Sequence, residues 1–185
     1  MKKTAIPILF VLTLSVVAAA QQDKSQRPSP PAQAQCKFSD GKTITVDYSS
    51  PRMKGRKIFG GLVPYGEVWR TGANEATTFV TEDDIFAAKG TKIPAGHYTI
   101  FTVPDPAKWT LIINKHTGEW GIPYKYQSEE LARVPMTVTK LPAPSENFTI
   151  SFDHTGASCT MRISWENTQA SVEFAQKNSD LATQP

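Results

Sequence analysis

Two cysteines in 185 residues are too few for a disulfide-dense miniprotein or for a cysteine-built structural zinc site. Charge of one sign is scarce as well. Twenty Lys and Arg stand against 17 Asp and Glu, and a net charge of +3 is too small for an electrostatic nucleic-acid binder. No CxxC pair, GxSxG elbow, HExxH helix or glycine-rich phosphate loop ahead of a helix occurs. No pattern therefore calls for a cofactor, a metal or dithiol chemistry. Helix-period patterning is nearly absent, and no internal repeat is visible. What is present is ordinary folding material: 39% hydrophobic and 20% charged residues, too apolar for a disordered polymer. The length suits one domain.

The one long apolar run lies at the start. Lys2 and Lys3 precede Ile6 to Val17, and Ala18, Ala19 and Ala20 follow. This is the pattern of a secretory signal over residues 1–20, with Gln21 as the mature start. The run is too short to span a bilayer, so no membrane span is expected after cleavage. A periplasmic or secreted location follows. Without Lys2 and Lys3, 18 cations face 17 acids and the net charge falls to +1. Residues 21–35 hold only Gln, Asp, Lys, Ser, Arg, Pro and Ala, which reads as a flexible tether. Residues 176–185 read as a disordered tail. A single domain over residues 36–175 remains.

Period-2 alternation dominates that domain. Ile44, Val46 and Tyr48 alternate with polar neighbours, and Trp109, Leu111 and Ile113 alternate with Thr110, Ile112 and Asn114. Phe148, Ile150 and Phe152, and Cys159, Met161, Ile163 and Trp165, also alternate with polar neighbours. Val134, Met136 and Val138, then Val172 and Phe174, repeat the pattern. Thr77–Thr81, Ile85–Ala88 and Tyr98–Val103 are less regular strands. One-sided patterning of this kind belongs to antiparallel sheets. It predicts an all-β sandwich, Greek-key or jelly-roll-like, with a barrel as second choice. One or two short helices are expected, at Ser128–Leu131 and Pro64–Arg70. Pro94, Gly96 and Tyr98 read either as a tyrosine corner, its phenol bonded to nearby backbone, or as a half-buried strand tyrosine. In an exported chain Cys36 and Cys159 are expected to form a disulfide rather than two free thiols.

Residues 50–78 break the strand pattern. Five of the 11 glycines fall between Gly55 and Gly72, yet Ile58, Phe59, Leu62, Val63, Val68 and Trp69 are too apolar for disorder. Long irregular connections inside compact domains are commonly functional. The expected ligand-binding set is Arg56, Tyr65, Trp69, Arg70, Asn74 and Glu75: Arg70 as anchor, Asn74 and Glu75 as polar readers, Trp69 and Tyr65 as an apolar wall. The competing reading is an internal network that merely fixes the loop. Glu75, with Glu67 beside it, is a weak candidate for acid/base catalysis. His97, His116 and His154 lie on separate segments, without the spacing of a metal site. Trp109 reads as core, and Trp120, between Gly118 and Gly121, as exposed.

The run GRKIFGGLVPYGEVWRTGANEATTF, with the later IPAGHYTIFTVP, WTLIINK and GEWG, closely resembles a bacterial family catalogued as domain of unknown function 2911. The resemblance covers nearly all of Pro51 to Val138 and continues more weakly to Phe174. It implies an exported β-rich protein and supplies no catalytic residues. The leading expectation is a binding module for a small or extended ligand, such as envelope carbohydrate or peptide. An envelope hydrolase using Glu75 and a purely structural envelope domain are the alternatives.

Overall fold

A computed structural model describes residues 23–155 and 157–181. The signal read at residues 1–20, Gln21 and the last four residues of the tail lie outside the described residues. Among the described residues nine strands form one open antiparallel sheet: β1 (Pro31–Lys37), β2 (Thr43–Ser49), β3 (Thr78–Thr81), β4 (Ile85–Ala87), β5 (Thr91–Ile93), β6 (Gly96–Val103), β7 (Lys108–Asn114), β8 (Glu130–Thr155) and β9 (Ser158–Ala175). Their order is β1-β2-β3-β6-β7-β8-β9-β4-β5. The all-β class expected from alternation is what the chain forms.

The sheet doubles back on itself because β8 and β9 are long and bent. The β8–β9 register shifts between Lys140 and Thr149, and Glu166 on β9 takes a positive φ of 52°. The distal half of this hairpin then lies over the opposite end of the sheet. The Tyr48 hydroxyl on β2 accepts from Ile150 N of β8 at 3.1 Å, and Ser50 Oγ donates to Phe148 O at 2.6 Å. The same superposition joins Cys36 of β1 to Cys159 of β9, 123 positions apart, in a disulfide. One core fills the space between the layers, with Ile44, Val46, Leu111, Ile113, Ile163 and Phe174 all buried. A second, small cluster of Ala76, Phe101 and Ile112 sits on the other face of β6 and β7. It explains why β6 lacks clean alternation: residues 98–102 are buried on both faces.

Three expectations need correction. The segment read as a tether to Gln35 is structured well before Cys36, since β1 begins at Pro31 and pairs with β2 along its whole length. Its glutamines face outward while Ala34 and Cys36 are buried, and a polar composition hid that half-buried strand. Pro64–Arg70 is not helical. Trp69 exchanges both backbone hydrogen bonds with Thr102 of β6, at 2.8 and 2.9 Å, so its amide and carbonyl are spent on the sheet. Near Ser128 there is only a 3-10 turn, Gln127–Glu129, because Glu130 already pairs with Asn114 in β8. In the tail, Gln176 is held by its amide to Asp40 and Asp83 at 2.7 and 2.8 Å. The Tyr98 hydroxyl donates to Pro94 O at 2.9 Å, which is the corner geometry.

The disulfide closes a loop of more than a hundred residues, and the chain-entropy account assigns such a closure about 4–5 kcal/mol. Replacing Cys36 and Cys159 together by Ala is expected to lower unfolding free energy by about 2–5 kcal/mol. Urea denaturation of the two proteins measures this, and an unchanged midpoint would refute it.

Candidate functional site

The chain leaves β2 at Ser50 and re-enters the sheet at Thr78, and every stage of that excursion is anchored. Phe148 N donates to Pro51 O, and Met53 N donates to Glu146 O, at 2.9 and 2.8 Å. A tight reversal follows, with Val63 N donating to Ile58 O at 2.9 Å and Gly60 N to Val63 O at 2.9 Å. Gly60 has φ 74°, and a Cβ there would stand 2.7 Å from the Tyr65 ring, so both backbone and space demand glycine. The reversal presents Phe59 to the core. Its ring lies 4.8 Å from Trp109, 6.1 Å from Trp69 and 6.4 Å from Trp165. Trp69 stacks on Trp165 at 6.0 Å and donates its indole N–H to Gly72 O at 3.1 Å.

Beyond Trp69 the loop meets a second loop, residues 115–126. Arg70 Nη1 donates to Asn74 O at 2.6 Å and to Trp120 O at 3.2 Å, and its guanidinium lies 5.3 Å from the Trp120 ring centre. Ala76 N donates to Glu119 O at 3.1 Å. Gly121 at φ 87° lets the two loops close, since a Cβ there would stand 2.9 Å from Ala76 Cβ. The second loop is itself held by Asn114, whose Nδ2 donates to Tyr126 O at 2.7 Å and to the Tyr124 hydroxyl at 3.1 Å. Tyr124 donates to Glu130 at 2.7 Å. Burial, together with that bond to Glu130, pushes the phenol up to about 12.

Between the loops lies an open cleft of about 400 Å³. Its apolar lining includes Trp69, the buried Trp165, Leu62, Val68 and Ile122. Leu62 and Ile122 are 49% and 43% exposed. Its polar side chains include Arg56, Glu67 and Arg70. Arg56 donates Nε to Met53 O and Nη2 to Arg52 O. Burial lowers the pKa of Arg70, opposed by the charge of Glu75.

The expected site residues divide. Arg56, Trp69 and Arg70 line the cleft, as does Glu67. Tyr65, 42% exposed, is not among the lining residues and packs on Gly60. Asn74 and Glu75 hold the N-terminal segment instead. Asn74 Nδ2 donates to Ser29 O at 2.9 Å. Glu75 accepts two bonds from Arg27 Nη1 at 3.0 and 2.8 Å and lies 3.2 Å from Lys24 Nζ. Its own backbone amide, then Arg27 and Lys24, depress the Glu75 carboxyl to about 2. Ser29, Ile122 and Trp165 are cleft residues that the sequence reading did not nominate. Ser29 was assigned to the tether and Trp165 to the core face of its strand. Ile122 had a signal, since it follows directly on the GEWG motif. Among the described residues no three His, Cys, Asp or Glu side chains converge as a metal site would require. His116 instead stacks on Tyr126 at 3.6 Å.

The chain belongs to the family described as "Protein of unknown function (DUF2911)", whose model matches residues 29–174. That match begins at Ser29, inside the segment that composition alone assigned to a tether. No curated protein and no solved structure matches the chain.

A carboxyl depressed in the folded state stabilises it above the unfolded pKa near 4.5, and that contribution is lost as pH falls from there toward 2. The pair is partly exposed, so the effect is modest, below about 1 kcal/mol. Glu75→Gln is expected to be less stable than the natural chain at pH 7 and to converge on it below pH 3. Urea midpoints across pH measure this, and a constant difference down to pH 2.5 would contradict it.

Proposed function

We propose that this member of a family of unknown function is an exported binding module whose ligand occupies the cleft between the two loops. The observation that carries the reading is the cleft itself. Two loops with little regular structure of their own are pinned around an open space whose lining includes Trp69, Trp165 and the exposed Leu62 and Ile122. Concave sites with apolar walls and a few polar groups are where small ligands bind, and rigid scaffolds commonly carry such sites on loops. The volume lies in the lower part of the usual range of about 300–1,000 Å³. That size suits a small molecule or one end of an extended carbohydrate or peptide.

Export is supported by the disulfide, a bond that persists in oxidising compartments, and by the signal pattern at residues 1–20. Binding is better supported than hydrolysis. Glycoside hydrolysis needs two carboxyl groups flanking one bond, and Glu67 is the one carboxylate among the lining residues. Glu75 is ionised at all ordinary pH and is committed to Arg27 and Lys24. It therefore has no proton to give as a general acid.

Trp69 provides the readout. Titrating the full chain with chito-oligosaccharides and with short peptides, followed by tryptophan fluorescence, is expected to give a saturable change for one class. Ala73→Trp, which places a large ring at the cleft wall, is expected to weaken that binding at least about tenfold while leaving the thermal midpoint nearly unchanged. Saturable binding that Ala73→Trp does not alter would place the ligand elsewhere and sink the reading. A folded protein that binds neither class would favour the structural-domain alternative.

A further inference from the structure

The charges of the cleft are not balanced from within the protein. Six arginines occur in the chain, and they divide by partner. Arg27, Arg133 and Arg162 each meet a carboxylate, of Glu75, Glu130 and Asp153 respectively. Arg52, Arg56 and Arg70, all in the 50–78 segment, bond only carbonyl and hydroxyl oxygens among the described residues. Two of these, Arg56 and Arg70, line the cleft.

Arg70 is the more informative. It is partly buried against Trp120, and its two recorded hydrogen bonds both leave from Nη1. Nε and Nη2, the side-on edge of the guanidinium, have no acceptor among the described residues. That edge carries two parallel donors at the spacing of a carboxylate. The nearby anion, Glu75, is engaged by Arg27 and Lys24. Neither Nε nor Nη2 is among the buried polar atoms left without a partner, so this edge is open to water, where a ligand carboxylate would exchange that water for a charge-assisted, two-point hydrogen bond.

The count of charges also limits the anion. Arg56 and Arg70 face one acid, Glu67, which is exposed and makes no ion pair among the described residues. The cleft is thus short of one negative charge. A doubly charged phosphate would gain the same arginines but meet stronger repulsion from Glu67. The remaining lining includes Ser29 and the apolar side chains of Leu62, Val63, Val68, Trp69 and Ile122.

Resting on the binding reading above, we propose that the cleft takes a singly charged carboxylate on an apolar body, with the carboxylate on the free edge of Arg70 and the apolar part over Trp69 between Leu62 and Ile122. Arg56 adds long-range attraction, and Glu67 discriminates against a second negative charge. Two kinds of molecule carry this chemistry, a fatty-acyl carboxylate and the C-terminus of a hydrophobic peptide. The cleft recognises what they share.

The test compares each carboxylate with its own neutral form on the full chain: decanoate against decanamide, and N-acetyl-Phe-Leu against its C-terminal amide, by calorimetry at low salt. The acid is expected to bind at least about tenfold more tightly than the amide, and the better of the two pairs identifies the source. Arg70→Gln is expected to bring the acid-to-amide ratio to about twofold or less. Arg70 also ties two loop carbonyls, so Glu67→Gln is a second, independent variant. It is expected to tighten the acid about threefold and leave the amide alone. Equal binding of acid and amide overturns the proposal, as does an acid affinity unmoved by Glu67→Gln. Absence of binding by both acids at millimolar concentration also overturns it. Tight binding of a neutral chito-oligosaccharide, abolished by Ala73→Trp, with no preference for acids, would overturn the carboxylate assignment and leave the cleft reading standing. Acid binding that Ala73→Trp does not touch would remove both.

Discussion

The packing of Phe59 and Trp69 against Trp109, Phe148 and Trp165 is the contact on which the rest depends. It joins the 50–78 segment to both layers of the sandwich at once. Trp109 belongs to β7, Phe148 to β8 and Trp165 to β9, and Trp69 lies within 6.4 Å of all three rings. Large aromatic rings in a dry core contribute several kcal/mol each. A connection of nearly thirty residues needs an anchor of that size to offset its ordering entropy. With the rings seated, the backbone of Trp69 bridges to Thr102 and Arg70 is delivered to the second loop. Trp69 and Trp165 of the same cluster also line the cleft, so packing and cleft share side chains.

Through this sharing the cleft is built on well-anchored backbone with little regular secondary structure. Polar residues that look like ligand readers in a linear sequence are mostly occupied with holding backbone. Asn74 fixes Ser29, Thr77 Oγ donates to Thr71 O at 2.8 Å, and Glu75 clamps Arg27. What is left over for a ligand is small: one edge of Arg70, the exposed Arg56 and Glu67, and apolar surface. Selectivity would then come from a single charge and from shape.

Much of the fold was legible because it obeys local rules. Alternation at Ile44–Tyr48, Trp109–Ile113 and Cys159–Trp165 identified strands and their buried faces correctly. The Pro94–Tyr98 turn and the cysteine pair were readable from residue chemistry. The failures share one cause. The strand at Pro31–Lys37 has only Ala34 and Cys36 buried, and its stability comes from pairing with β2 rather than from its own composition. Pro64–Arg70 has helix-like start and stop residues, yet Trp69 gains more by bridging to β6. Phe101 and Ile112 looked like breaks in alternation, because a loop distant in sequence covers the outer face of their strands.

Local chemistry therefore determined the all-β, sandwich-like class, and it singled out residues 50–78 as the stretch that breaks the strand pattern. Period, turn chemistry and residue type are properties of neighbouring residues, and they survive in a linear reading. Tertiary structure alone decided which groups of that segment line the cleft. Glu75 is withdrawn from the cleft by Arg27, 48 residues away, while Ile122 and Trp165 enter it from other parts of the chain. Whether a charged side chain is spent or free depends on partners brought near by sheet closure and loop packing, and sequence spacing carries no trace of them.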